Sequence, residues 1–113
     1  MASRCIAVLL LVAACGAEGT QLPRTQIADP GELLFNGYTK ADVTCFKCHN
    51  GDGTGTKWGP ALAARVPQLT DDGLRQVILE GKGKMPAWRK RLTDDDVAQL
   101  TTWLRQRFGH STR

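Results

Sequence analysis

The sequence predicts an all-α domain of three to five helices joined by long loops. Three observations predict it. Val97, Leu100, Leu104 and Phe108 recur at i, i+3, i+7 and i+11, the spacing of one helix face. No segment sustains the period-two alternation of a half-buried strand, and there is no internal repeat. Between the apolar stretches lies a run carrying Gly51, Gly53, Gly55 and Gly59, closed by Pro60, where a helix would be costly. The chain has 113 residues, which suits one domain. A unit this small buries little apolar surface, so a covalent or metal staple is expected.

The first element is a targeting segment, residues 1–14. Arg4 is its one charge, and Ile6 to Ala14 form an apolar run too short to span a bilayer core as a helix. A signal peptide is the better reading. The run ends Val12-Ala13-Ala14-Cys15, which resembles the lipobox of bacterial lipoproteins. That resemblance implies cleavage before Cys15 and lipid on its thiol, several acyl chains giving a firm membrane anchor where one is marginal. The alternative is an ordinary secretory signal that contains a cysteine. Either way the expected location is extracytoplasmic, in the bacterial periplasm, with membrane tethering if Cys15 is acylated. Loss of Arg4 takes the net charge from +4 to +3, which does not argue for nucleic acid.

Residues 15–28 are expected as a lipidated N-terminus and tether, because 16–28 are small and polar with Pro23 and no apolar period. If flexible, such a tether reaches roughly 20 Å. The globular domain is expected over 29–113. Its first helix opens with Asp29 as N-cap, Pro30 at the first helical position and Glu32 able to close a capping box. Leu33, Leu34 and Phe35 supply its apolar face, and Gly37 is a stop. Thr70, Asp71 and Asp72 open a second helix, with Leu74, Val77 and Ile78 at helical spacing and Gly81 at its end. The last helix starts at the capping-box pair Thr93 and Asp96, and Gly109 follows its apolar face, which Trp103 widens.

Cys45-Phe46-Lys47-Cys48-His49 is C-x-x-C-H, the c-type haem attachment signature. Two thiols two residues apart reach two vinyl groups on one edge of the macrocycle, and the following histidine then lies beneath the ring. The four cysteines are thereby accounted for without a disulfide: Cys5 leaves with the signal, Cys15 is the lipid site, and Cys45 and Cys48 hold one covalent haem c. Two rivals are weaker. A thioredoxin-like dithiol needs a βαβ context, and a zinc site needs a fourth ligand where only His110 near the C-terminus remains.

From about residue 29 to 109 the chain resembles the class I c-type cytochromes, which implies a small cytochrome c-like fold wrapped around the haem. The resemblance is carried by Gly31 and Phe35, the C-x-x-C-H run, Gly59-Pro60-Ala61-Leu62, Gly83-Lys84-Met85-Pro86, and Leu92 to Phe108. It implies His49 and Met85 as the two iron ligands and the Pro60 carbonyl as the partner of the histidine's other ring nitrogen. Without the resemblance, Met85 is a core filler and Gly-Pro a turn. It also implies that Gly31 lets the first and last helices cross closely, against Trp103. Trp58 and Trp88 are expected at the haem crevice or in the core, Trp58 also as a donor to a propionate. Residues 36–44 form a longer segment before the first cysteine than compact members have.

Lys82, Lys84, Arg89, Lys90 and Arg91 cluster around Met85. Such a run is a solvated face or, at an exposed haem edge, a ring that steers redox partner proteins with acidic docking surfaces. The expected function is an extracytoplasmic electron carrier that catalyses nothing alone. The alternatives are a haem subunit of a larger oxidoreductase, or a small peroxidase or gas sensor if Met85 is off the iron.

Overall fold

The computed structural model describes residues 18–109. The expected signal peptide, Cys5, Cys15 and His110 lie outside the described residues. Five α-helices follow one another: α1 Pro30–Phe35, α2 Phe46–His49, α3 Leu62–Arg65, α4 Asp71–Glu80 and α5 Asp94–Phe108. Short 3-10 turns occur at Arg24–Gln26 and Val66–Gln68, and the described residues contain no strand, only isolated bridges at Thr56–Gly59 and Lys82–Met85. The all-α class is therefore the architecture observed.

The helix ends follow their local chemistry. The Asp29 carboxylate accepts from the Gly31 N–H at 2.8 Å, while Glu32 makes no bond back to Asp29; burial pushes the Glu32 carboxyl up. The Thr70 hydroxyl accepts from Gly73 N–H at 3.0 Å and starts α4. Thr93 and Asp96 close a reciprocal capping box at the head of α5, with bonds of 2.9 and 3.1 Å. Gly81 and Gly109 end α4 and α5 with φ of +78° and +104°, conformations open to glycine. Sequence reading did not find α2 and α3. Four residues make one turn, too short for a period to show.

The core lies where α1 crosses α5, with Leu34, Val97, Leu100, Trp103 and Leu104 all buried. A Cβ on Gly31 would stand 2.3 Å from the Gln99 carbonyl oxygen and 2.5 Å from Trp103 Cβ. The two helices thus meet backbone to backbone, and glycine is what allows it. Phe35 packs on Trp103 with ring centroids 5.1 Å apart, and Phe108 meets Trp103 edge-on at 5.7 Å. Arg105 is buried in α5 and donates to Asp71 at 2.8 Å, to the Val66 carbonyl at 2.9 Å and to the Leu69 carbonyl. It latches the last helix to the head of α4.

The N-terminal segment departs from expectation. Residues 19–27, within the expected tether, are bonded along the domain as a strap and end in the buried Ile27. The long segment 36–44 folds back onto the domain. Val43 is fully buried, Lys40 pairs with Asp96 at 2.6 Å, and Asp42 pairs with Arg91 at 2.5 Å. Phe35 therefore reaches the cavity next to His49 despite the ten positions between it and Cys45.

Candidate haem site

Helix α2 presents Cys45, Cys48 and His49 to one cavity of about 440 Å³. Met85 and Trp88 line the same cavity from the loop after α4, and Leu74, Ile78, Leu100 and Leu104 close it with apolar surface. The volume lies within the range of small-molecule and cofactor sites. Such a chamber is mostly apolar and offers two thiols, an imidazole and a thioether, a donor set that fits a covalently attached haem.

The imidazole is oriented from behind. His49 Nδ1 lies 3.0 Å from the Pro60 carbonyl oxygen. A carbonyl only accepts, so Nδ1 carries the hydrogen and Nε2 keeps its lone pair for a metal. Burial pushes the His49 pKa down, against the hydrogen bond to Pro60, which favours the neutral ring that ligation needs. A Cβ on Gly59 would stand 3.0 Å from ring atoms of His49, so the loop runs directly against the imidazole. Phe35 covers its flank, with ring centroids 6.3 Å apart. The structure thus brings Cys45, Cys48, His49, Pro60 and Met85 around one chamber.

Burial pushes the Cys45 thiol up to about 12, so it stays protonated. A reactive dithiol needs the reverse, a thiol lowered toward neutrality. Trp58 and Trp88 both line the cavity. Trp58 is 39% exposed at the mouth, with the Lys57 and Lys84 ammonium groups 5.5 and 5.6 Å from its ring.

The basic cluster is distributed differently from expectation. Arg89 is tied up by Glu80 and Arg91 by Asp42, while Lys82 and Lys84 line the mouth. Lys47 and Arg65 join them there. Sequence reading passed over both, Lys47 as a spacer inside the signature and Arg65 because α3 was not recognised.

The family described as cytochrome c oxidase, cbb3-type, subunit III matches residues 28–104. Cytochrome c6 of Chlorolobion braunii is 31% identical over 80 residues, 66% of this chain and 83% of that protein. Cytochrome c6 of Cladophora glomerata is 28% identical over 79 residues, 65% of this chain and 87% of that protein. A nicotinate dehydrogenase subunit of Pseudomonas putida is 34% identical over 92 residues, 70% of this chain but only 7% of that much longer protein. No helix among the described residues is long and apolar enough to cross a membrane. The chamber and these matches agree: the chain belongs to this family of small cytochrome domains and is a class I single-haem c-type cytochrome, with haem c held covalently.

Proposed function

We propose that this cytochrome is an extracytoplasmic carrier of single electrons, with Cys45 and Cys48 as the thioether attachments and His49 and Met85 as the axial ligands. The observation that carries the reading is the gathering of those four side chains on one apolar cavity, with His49 Nδ1 committed to Pro60. When bound, haem c supplies a one-electron iron couple. The chain's own groups set its conditions. His49 and Met85 would hold the iron through a neutral imidazole and a soft thioether, leaving no position for substrate. A Met85 thioether on the iron would raise the potential by favouring the ferrous state. The apolar walls keep water out. The signal peptide over residues 1–14 and lipid on Cys15 would bring the protein to the periplasmic face of a membrane, where tethering raises its effective concentration near membrane-bound partners.

Lys47, Arg65, Lys82 and Lys84 at the mouth suit redox partner proteins with acidic docking surfaces. Stopped-flow electron exchange with small oxidants tests this. Ferricyanide, an anion, should react faster than a cationic cobalt complex of similar driving force, and salt should slow it. Neutralising Lys47, Lys82 and Lys84 to glutamine should erase most of that salt dependence. Equal rates and unchanged salt dependence in the variant would refute the steering role.

A second reading has a specific observation in its favour. The 34% identity with part of the Pseudomonas putida nicotinate dehydrogenase is compatible with a haem subunit that serves a larger oxidoreductase. Peroxidase or gas-sensor chemistry would require Met85 off the iron, and peroxide turnover or carbon monoxide binding at neutral pH would reveal it.

A further inference from the structure

We propose that the N-terminal strap, residues 19–22, is a positioning element for the haem-attachment helix and acts on His49 through the backbone of α2. The proposal rests on the reading of His49 as the iron ligand.

A four-residue helix leaves its last carbonyls without partners inside the helix. In α2 each of them is met. The Phe46 carbonyl accepts from Asn50 N–H at 2.8 Å, the His49 carbonyl from Gly55 N–H at 2.8 Å, and the Cys48 carbonyl from the Thr56 hydroxyl at 2.6 Å. Those three partners come from the loop that follows. The Lys47 carbonyl accepts instead from Gly19 N–H at 2.9 Å, across 28 positions of sequence. A Cβ on Gly19 would lie 1.7 Å from the Phe46 oxygen and 2.8 Å from the Lys47 oxygen, so only glycine passes there.

The next strap residues grip the junction where α2 ends. Asn50 has φ +69° with ψ +149°, outside the left-handed well that asparagine tolerates and a region held almost only by glycine. Thr20 holds it from both sides. Its N–H donates to Asn50 Oδ1 at 2.8 Å, and its carbonyl accepts from Gly51 N–H at 2.8 Å. Asn36, fully buried, then locks the strap to the same place. Its Oδ1 accepts from Leu22 N–H at 2.9 Å, and its Nδ2 donates to the Gly51 carbonyl at 3.2 Å. The strap thus completes the C-terminal cap of the helix that carries His49, and its release would bare the Lys47 carbonyl to water. Greater exposure favours the more highly charged oxidised state, so release of the strap lowers the reduction potential.

The test uses the full-length holoprotein carrying Gly19→Val, with Thr25→Ala at an exposed position of the 3-10 turn as control. Trypsin cleavage after the exposed Arg24 reports release of the strap. In Gly19→Val, cleavage should accelerate by about tenfold or more, since it tracks the population of the open form. The potential should fall and the spectroscopic signature of the axial histidine should shift, while Thr25→Ala changes none of these. Faster cleavage with unchanged potential and spectrum would overturn the proposal and reduce the strap to packing. Unchanged cleavage would also overturn it, because Gly19 would then not be the point of closure. Failure of the His49 reading itself would look different: the wild-type protein would lack the spectroscopic signature of an iron-bound histidine.

Discussion

The two walls of the cavity are built to different standards. The Cys45–Pro60 wall is held by a dense set of backbone bonds centred on its helix. The carbonyls of residues 46 to 49 each have a partner, and the imidazole is fixed from behind by Pro60. The Lys82–Trp88 wall hangs from α4 by fewer ties. Lys82 and Met85 exchange backbone bonds of 3.1 and 2.9 Å, and Trp88 and Arg89 N–H groups reach the Ile78 and Leu79 carbonyls at 3.1 Å each. The Arg89–Glu80 ion pair beside it is exposed, and exposed pairs contribute little. The difference teaches a division of labour. Under the proposed ligation, the wall with the attachment cysteines is the more tightly bonded and the wall with Met85 the less, so damage to the two should have different signatures.

The largest effect is expected at the more tightly bonded wall. Cys48→Ala would remove one of the two proposed covalent links, and the protein matured with it should lose most of its covalent haem, as read by haem staining after denaturing electrophoresis. Full retention would mean that Cys48 is not an attachment site. At the less tightly bonded wall the expected loss is of coordination alone. Gly81→Ala puts a Cβ 2.5 Å from the Met85 carbonyl oxygen, at φ +78°. It should weaken the methionine–iron charge-transfer band while covalent haem stays at the wild-type level. Gly83, also at positive φ, has nothing within 4 Å of such a Cβ. Gly83→Asn should therefore leave the band intact, because asparagine tolerates the left-handed region. Equal behaviour of the two variants would show that close approach to Met85 is not what requires Gly81.

The smallest effect lies away from both walls. Burial raises the Asp96 pKa, but the Lys40 ammonium and the Thr93 bonds outweigh it and hold the carboxyl below its ordinary value. A carboxylate lowered in the folded state contributes stability above its unfolded pKa, and that stability is lost as pH falls through the folded value. The contribution should be whole at neutral pH and fade below about pH 4. Asp96→Asn should cost about 1 kcal/mol at pH 7, in the range of a lost cap, with the difference from wild type shrinking in acid denaturation. A difference that grows as pH falls would have the wrong sign.

How much was legible follows from how local each signal is. Thr70, Thr93, Asp96, Gly81 and Gly109 marked helix ends because a cap joins residues a few positions apart. The haem chemistry was legible because C-x-x-C-H is contiguous. Gly31 opposite Trp103 was legible only through family resemblance, since nothing within six residues of Gly31 indicates α5. Asn36 and Arg105 were not legible at all. Asn36 bonds Leu22 and Gly51, and Arg105 bonds Val66 and Asp71, so each acts through partners supplied by the fold. The strap read as a tether for the same reason: Gly19, Thr20 and Gln21 are small and polar, and their order comes from α2 and Asn36 rather than from themselves.

The central claim is that His49 and Met85 face the iron from the two walls of one chamber. An optical spectrum of the oxidised and reduced full-length holoprotein, with and without Met85→Ala, tests it most directly. The account predicts a low-spin c-type spectrum with a methionine–iron charge-transfer band that disappears in the variant while covalent haem remains. A high-spin wild-type spectrum, or a band that survives the substitution, would take Met85 off the iron and contradict the carrier reading.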